Sequence, residues 1–299
     1  MQKQSPENSA KVINIAIDGV AGSGKGTISS KLAETLGFYH MDTGAIYRTI
    51  TYAALQKLAE LQKRAEAKDS SALITMLEKE VALLKNETKL VDVLKSNDFI
   101  VHMLKQEDFL VEILKEGRVS IEFQGGKQHN CFDGKDLGQK IREEKIASYT
   151  AEVAKHPKVR EFTASVQKQA AKENNIIIEG RDIGTEILPD ADVKLYINAD
   201  PEVRAKRRIE QENLPKTEAK FNEVLKLMQE RDKADMEREI SPLKKADDAI
   251  EIDTSHTSQE GSLKSALVAV GAKVPALSDL VVRKLAEIDK AASKREPTK

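Results

Sequence analysis

A glycine-rich loop near the start of the chain carries the clearest chemical pattern. An apolar run at residues 12–17 is followed by Asp-Gly-Val-Ala-Gly-Ser-Gly-Lys-Gly-Thr at residues 18–27, and a helical pattern comes next. Glycine backbones turn tightly enough for successive N–H groups to face inward, and such a concavity binds oxyanions. Lys25 and the N-terminus of the following helix add positive charge at the same place. These residues predict the binding of a chain of phosphates.

One position departs from the usual form of this loop. Ser or Thr commonly follows the lysine, but here Gly26 follows it and the hydroxyl comes at Thr27. The order Lys-Gly-Thr is the variant found in nucleoside monophosphate kinases. The alternative is a glycine-rich turn that binds no ligand. The agreement of lysine, hydroxyl and glycines within one short segment argues against that alternative.

A second anion-binding corner is predicted after the next strand pattern. Asp42, Thr43 and Gly44 follow a short apolar stretch and begin a helix, and Arg48 comes about one turn later. A carboxylate, a hydroxyl and a glycine at a helix start are typical of a site that receives an anion. The alternative is a capped helix with a surface arginine.

In a third segment, Arg181 and Asp182 follow the apolar run 176–178, with glycines on either side of the pair. Carboxyl ends of parallel strands share one edge of a sheet, where ligands bind. We therefore expect this pair close to the first two segments. The alternative is a structural ion pair at a strand end.

Three arginines share one face of a predicted helix, since Arg204, Arg207 and Arg208 are three or four residues apart. Phosphoryl transfer requires such charges because negative charge spreads over three oxygens in the transition state. Neighbouring glutamates keep open the alternative of a solvated face. The charge run at residues 230–238, which ends a later helix, would alone be interpreted as solvated.

Composition excludes several classes of protein. The chain has 299 residues, of which 32% are charged and 4% aromatic, and its net charge is −1. Such a charge attracts no nucleic acid globally, and no apolar stretch approaches the roughly 18 residues that span a membrane. The polar N-terminal segment does not resemble a secretory signal, and a single cysteine, Cys131, excludes an internal disulfide. We expect a cytoplasmic monomer without nucleic-acid or membrane partners.

Strand and helix patterns alternate along much of the chain. Strands are predicted at residues 12–17, 38–42, 175–179, 193–198 and 249–253. This alternation predicts an α/β fold with a five-stranded parallel sheet and helices on both faces.

Residues 81–115 instead form a fourfold repeat of ten residues, with Val, Leu and Lys each recurring at that step. We expect short amphipathic helices there, although a strand interpretation competes. A packed addition is favoured over a docking surface. A β-hairpin is predicted at residues 119–133.

Together, the segments 19–27, 42–48 and 180–185 and the pair Asp235 and Arg238 resemble the bacterial-type cytidylate kinases. The resemblance covers roughly residues 12–57 and 117–256. It implies a P-loop NTPase core at residues 1–58 and 172–299, with a lid at about 204–238. It also implies an inserted monophosphate-binding subdomain at 59–171, which includes the repeat. The implied activity is transfer of the γ-phosphate of ATP to CMP or dCMP with Mg²⁺.

The resemblance also implies roles for individual residues. It assigns the ATP phosphates to Gly19, Val20, Ala21, Gly22, Ser23, Gly24, Lys25, Gly26 and Thr27. It assigns CMP to Asp42, Thr43, Tyr47, Arg48, Arg142, Arg160, Arg181, Asp182, Asp235 and Arg238. It assigns catalysis to Lys25, Arg181, Arg204, Arg207 and Arg208. Thr27 is the candidate Mg²⁺ contact. Asp182 would accept a hydrogen bond from the cytosine amino group and repel the acceptor that uracil presents there.

Two features depart from the family pattern. Ala151 stands where a serine near the cytosine is expected, with Thr150 beside it, and residues 81–115 and 261–275 look like insertions. The alternatives to a cytidylate kinase are a kinase for AMP, UMP or a non-nucleotide alcohol, and a non-catalytic module that senses nucleotides.

Overall fold

The computed structural model describes residues 11–67 and 96–293. They form two compact units. The first contains the chain up to Asp42, the short piece Gly125–Lys127 and everything from Gln167 on, and the second contains Thr43–Gln124 and Gln128–Val166. The predicted functional assignment of 1–58 and 172–299 to the kinase core stays a prediction.

The first unit is built on a parallel five-stranded sheet. Its strands are β1 (Asn14–Gly19), β2 (Tyr39–Asp42), β6 (Ile176–Gly180), β7 (Val193–Asn198) and β8 (Ile250–Asp253). They lie in the order β2-β6-β1-β7-β8, and each neighbouring pair is parallel. The sheet is buried because runs such as Ile176–Ile178 place apolar side chains on both of its faces. The predicted five-stranded parallel sheet is confirmed.

Helices connect and cover these strands. They are α1 (Lys25–Leu36), α7 (Pro201–Gln211), α8 (Glu218–Glu237), α9 (Gln259–Lys273) and α10 (Ser278–Ser293). Helix α6 (Pro157–Glu173) leads into β6, and its residues up to Val166 belong to the second unit. Leu32, Leu267 and Val281 pack with Ile15 and Leu195 in one core on the face covered by α1, α9 and α10. Helix α1 ends at Gly37, whose left-handed backbone lets the N–H groups there cap the helix.

The second unit is mainly helical. It contains α2 (Thr43–Glu66), α3 (Asn97–Leu104), α4 (Glu107–Lys115) and α5 (Glu144–Val153), together with a 3₁₀ turn at Gly138–Arg142. A small sheet joins β3 (Val119–Gln124), β4 (Lys127–Phe132) and β5 (Lys135–Asp136).

The described part of the decapeptide repeat is helical. Helices α3 and α4 carry the last two copies and bury Phe99 and Phe109, so the prediction of short helices is confirmed there. The first copies, at residues 81–95, lie outside the described residues. The predicted hairpin is confirmed as β3 and β4. Among the described helices, none has the length and apolar character needed to cross a membrane.

Candidate active site

The glycine-rich loop runs from the end of β1 into the first turn of α1. Gly22 and Gly24 have φ angles of 74° and 83°, which L side chains rarely adopt. At Gly19, a Cβ atom would lie 2.0 Å from the carbonyl oxygen of Ile197 on the neighbouring strand. Close strand packing and left-handed turns therefore require glycine at these positions.

The Gly26 departure also has a structural reason. A Cβ atom there would lie 3.2 Å from Oε1 and 3.5 Å from Oε2 of Glu179. Such a contact is tighter than side chains normally make. The usual Ser or Thr at this position would press on the Glu179 carboxylate, so the motif variant follows from the acidic residue at the end of β6.

Glu179 joins the phosphate-loop lysine to a histidine. Its Oε2 lies 3.4 Å from Lys25 Nζ, and its Oε1 lies 3.2 Å from His40 Nε2. Burial raises the pKa of Glu179, but the charge of Lys25 and the hydrogen bond with His40 outweigh this effect. The pKa of Glu179 therefore lies below its ordinary value. Burial lowers the pKa of Lys25, against the opposing effect of Glu179. Neither Glu179 nor His40 was among the predicted site residues.

Asp18, the first residue of the loop, ties β1 to the turn after β6. Its carboxylate accepts hydrogen bonds from the backbone N–H groups of Ile183 at 2.9 Å and Gly184 at 2.7 Å. Burial raises the pKa of Asp18 to about 6, although these two bonds act in the opposite direction. The bonds fix the chain immediately after Arg181 and Asp182.

The predicted pairs at 181–182 and 235–238 meet in the first unit. Arg181 Nε donates to Asp235 Oδ2 at 2.8 Å, and Arg238 Nη2 lies 3.6 Å from Asp182 Oδ1. Arg181 and Asp182 follow β6, whereas Asp235 is in α8 and Arg238 follows it. The structure therefore brings these four sequence-predicted residues together.

An additional arginine belongs to this cluster. Its own burial and the like charges of Arg181 and Arg208 lower the pKa of Arg231, against the opposing effect of Asp235. Sequence reasoning missed Arg231 because it stands inside a charge run that has the composition of a solvated face. Its fixed spacing of four residues from Asp235 was the signal that could have found it.

The three arginines of α7 do not form the single basic face that the sequence predicted. Arg204 is buried, whereas the Arg208 side chain is half exposed and pairs with Glu212. Arg207 donates from Nη1 to Thr254 Oγ1 at 3.0 Å. The difference arises because Arg204 turns inward toward backbone carbonyls, which the spacing of charges along a helix does not reveal.

A cavity of about 440 Å³ lies beside the loop. The loop from Gly22 to Ile28, Arg207 and residues after β8, including Thr254 and Gln259, line it. Thr254 Oγ1 also donates to the Ser23 carbonyl at 2.8 Å. Thr254 thus joins Arg207 to the loop, and sequence reasoning missed it.

Of the other predicted acceptor-site residues, Asp42 ends β2 in the first unit and the rest belong to the second unit. Thr43, Tyr47 and Arg48 are in the first turns of α2. Thr163 in α6 donates to Tyr47 Oη at 3.0 Å, which brings α6, the helix of Arg160, against α2.

The 3₁₀ turn that ends at Arg142 packs against the same part of α2. Ile141 and Leu137 contact Ala45 in one cluster. The elements that carry Arg48, Arg142 and Arg160 are therefore neighbours within this unit.

The departure at Ala151 is on α5. Thr150, beside it, donates its hydroxyl to the Ile146 carbonyl at 2.7 Å. That donor is already used within the helix, so Thr150 would have to rotate to donate to a base in place of the missing serine.

A parallel sheet with a phosphate loop after its first strand, followed by a lysine-glycine-threonine helix start and an arginine cluster, defines a P-loop kinase. The family model described as cytidylate kinase matches residues 15–270. The chain belongs to the cytidylate kinase family.

Relatives named cytidylate kinase agree with this membership. The chain is 36% identical over 248 residues to that of Bacillus pumilus, which covers 83% of this chain and 91% of the relative. It is 37% identical over 253 residues to one from Bacillus cereus, covering 84% and 92% respectively. One from Fervidobacterium nodosum is 37% identical over 246 residues, covering 82% and 90%. The sequence-based prediction of the family is confirmed.

Proposed function

We propose that this enzyme transfers the γ-phosphoryl group of ATP to CMP or dCMP with the residues assembled above. The observation that carries the proposal is geometric and lies within one unit. Lys25 Nζ lies 3.4 Å from the carboxylate of Glu179, and Arg181, two residues after Glu179, lies 2.8 Å from Asp235. A cluster of cations next to a phosphate loop suits the transfer of a group whose charge is spread over three oxygens.

The donor is assigned to the 440 Å³ cavity beside the loop. The loop from Gly19 to Thr27 would hold the phosphates of ATP, with Lys25 on the outer ones. For Lys25 to reach them, its Nζ must exchange the Glu179 carboxylate for phosphate oxygens. Arg207 and Thr254, at the wall of the cavity, would support the same nucleotide.

The acceptor nucleotide is assigned to the residues that the family resemblance implies. Of these, Thr43, Arg48, Arg142 and Arg160 would bind its phosphate, and Asp42 and Tyr47 would also contact CMP. Asp182 would accept from the cytosine amino group, with Arg238 close to its carboxylate. Asp235 and Arg238 would contact the sugar. Because uracil presents an acceptor where cytosine presents a donor, Asp182 favours CMP over UMP.

Mg²⁺ fits as an ion that arrives with ATP. The described residues contain no cluster of three or more His, Cys, Asp or Glu able to hold a metal alone. Mg²⁺ at phosphate sites typically uses one or two protein oxygens and otherwise phosphates and water. The hydroxyl of Thr27, on the first turn of α1, is such a hard oxygen. When bound, the ion would neutralise phosphate charge, and the protein would supply orientation and the remaining cations.

No side chain is needed as a general base. The acceptor phosphate oxygen already carries negative charge, so catalysis consists of alignment and charge stabilisation. Lys25, Arg181, Arg207 and Arg208 would stabilise the transferring phosphoryl group. Arg204, also predicted to be catalytic, is buried and donates to backbone carbonyls. Bonds to Asp235, Asp232, Thr254 and Glu212 orient the four arginines before substrate arrives.

The test is a coupled assay of ADP release over eight nucleoside monophosphates with ATP and Mg²⁺. CMP and dCMP should exceed UMP and AMP by at least about a hundredfold in kcat/KM, as a buried polar mismatch implies. The variant Asp182→Asn should lose most of this preference while retaining binding of ATP. Comparable turnover of UMP by the unmodified enzyme would contradict the assignment of Asp182.

The prediction of a cytoplasmic monomer would be checked by cell fractionation and size-exclusion chromatography.

A further inference from the structure

The side chain of Arg204 connects several elements of the first unit. Its guanidinium is buried, and the residue is only 3% exposed. Nε donates to the carbonyl oxygen of Ala199, just after β7, at 2.9 Å. Nη1 donates to the carbonyl oxygen of Ala21 at 3.0 Å and lies 2.6 Å from Oδ2 of Asp232. One side chain of α7 thus joins the sheet, the phosphate loop and α8.

The bond to Ala21 controls a peptide group of the loop. A trans peptide is planar, so the carbonyl of Ala21 and the N–H of Gly22 point in opposite directions. When Arg204 holds the carbonyl oxygen on one side, the N–H of Gly22 must face the other. Gly22 lines the 440 Å³ cavity, and glycine adopts its φ of 74° as readily as other conformations, so the contacts of this peptide decide its orientation.

Helix α8 packs on the same residue of the loop. A Cβ atom at Gly22 would lie 2.7 Å from Cε of Met228. Met228 and Asp232 are one turn apart on α8, and Asp232 in turn holds Arg204. The Ala21–Gly22 peptide is therefore held both by the guanidinium and by the helix that orients it.

Stability alone is a poor reason for this arrangement. Asp232 is buried, and its Oδ1 has no hydrogen-bond partner among the described residues. A buried ion pair with an unsatisfied oxygen usually contributes less to stability than a well-packed apolar pair. Such an arrangement is better explained by what it positions.

We infer that Arg204 is a positioning residue, which orients the Ala21–Gly22 peptide for the donor phosphates and couples the loop to helices α7 and α8. This role replaces the direct catalytic contact that the sequence predicted for Arg204. It rests on the proposed function only in taking ATP as the ligand of the loop. Movement of the two helices would be transmitted to the loop through the same guanidinium.

Two variants separate positioning from stability. Asp232→Asn keeps a hydrogen-bond acceptor for Arg204 and leaves its two backbone bonds, so the protein should be less stable but bind ATP within about twofold of the unmodified enzyme. The double variant R204M/D232L replaces the pair by apolar side chains, which should recover stability. It nevertheless loses the bond to Ala21, so ATP should bind about tenfold more weakly, as expected for a charge-assisted hydrogen bond.

Both quantities are measured on the full chain, with ATP affinity from isothermal titration calorimetry without an acceptor and stability from thermal unfolding. The KM for ATP should rise in the double variant, with a smaller change in the KM for CMP. An ATP affinity equal to that of the unmodified enzyme in a folded R204M/D232L variant would overturn the inference. A loss of ATP affinity in Asp232→Asn in proportion to its loss of stability would also overturn the inference. Failure of the unmodified enzyme to phosphorylate CMP would instead refute the proposed function, since these binding measurements do not require transfer.

Discussion

At the scale of single residues, the loop and the end of β6 are matched to each other. Glu179 places its carboxylate within 3.4 Å of Lys25 Nζ, and Gly26 leaves the space for it. The usual loop has a hydroxyl side chain where this chain has Gly26. The residue of the loop and the residue at the strand end are therefore matched in size. A larger side chain at position 26 of α1 would require a shorter acid at position 179 of β6.

Gly26→Ala tests this match. Alanine should stabilise the helix by up to about 1 kcal/mol through its higher propensity. Its Cβ would nevertheless displace the Glu179 carboxylate, so kcat/KM for ATP should fall about tenfold. The measurement is steady-state kinetics together with urea denaturation.

Two further variants serve as the controls for this prediction. Ser30→Ala, at an exposed position of the same helix, should leave the kinetics unchanged. In the double variant G26A/E179D, the shorter acid leaves room for the alanine Cβ atom. Its kcat/KM for ATP, compared with that of Glu179→Asp, should therefore fall by less than the kcat/KM of Gly26→Ala falls compared with that of the unmodified enzyme. Equal kinetics for Gly26→Ala and the unmodified enzyme would show that the contact has no functional weight.

At the scale of elements, the strands could be predicted and their pairing could not. Short β-branched runs such as 193–198 identify strands because a sheet buried on both faces needs continuous apolar side chains. The dipeptide Asp200-Pro201 is typical of a helix start, and α7 begins at Pro201.

Contacts between elements were beyond the sequence patterns. His40 and Glu179 meet because β2 pairs with β6, and no local pattern determines this strand order. The spacing of Arg204, Arg207 and Arg208 predicted one basic face. Arg204 is instead buried, where it donates to the Ala199 carbonyl and pairs with Asp232. The predicted roles of the acceptor-site residues stay predictions.

The bond between β1 and the turn after β6 predicts a pH dependence. The pKa of Asp18 is raised from 3.8 to about 6 in the folded protein, so the folded state retains this proton more tightly than the unfolded state. The contribution of Asp18 to stability is therefore fully present below about pH 4 and is lost as the pH rises through about 6.

The variant Asp18→Asn removes this titration. The free energy of unfolding of the unmodified enzyme, relative to that of Asp18→Asn, should fall by about 2–3 kcal/mol between pH 4 and pH 7. Urea denaturation at several pH values measures the difference. Asp133→Asn gives a control with almost no change in this range. Hydrogen bonds from Arg118 lower the pKa of Asp133 below its ordinary 3.8, so Asp133 loses its contribution to stability only as the pH falls below about 4. A constant difference between Asp18→Asn and the unmodified enzyme across this range would refute the prediction.

At the scale of the whole molecule, the predicted catalytic residues and the C-terminal helix α10, which packs on the core, belong to different parts of the chain. The family model ends at residue 270, within α9, and α10 follows at Ser278–Ser293. Helix α10 contributes Val281 to the core shared by β1, β7 and α1. Its role is to cover the apolar surface of α9 and so to stabilise the sheet.

Two neighbouring valines of α10 provide a matched test of that division. Val281 is 3% exposed and contacts the backbone of α9 at Gly271, where a Cβ atom would lie 3.2 Å from Val281 Cγ1, whereas Val282 is 65% exposed. Val281→Ala should lower the free energy of unfolding by about 1–3 kcal/mol, and Val282→Ala should change it by less than about 0.5 kcal/mol. Both changes raise helix propensity equally, so denaturation curves isolate the packing difference. The kinetic constants for ATP and CMP should stay within about twofold in both variants, and a selective loss of activity in folded Val281→Ala would show that α10 contributes to catalysis as well as to support.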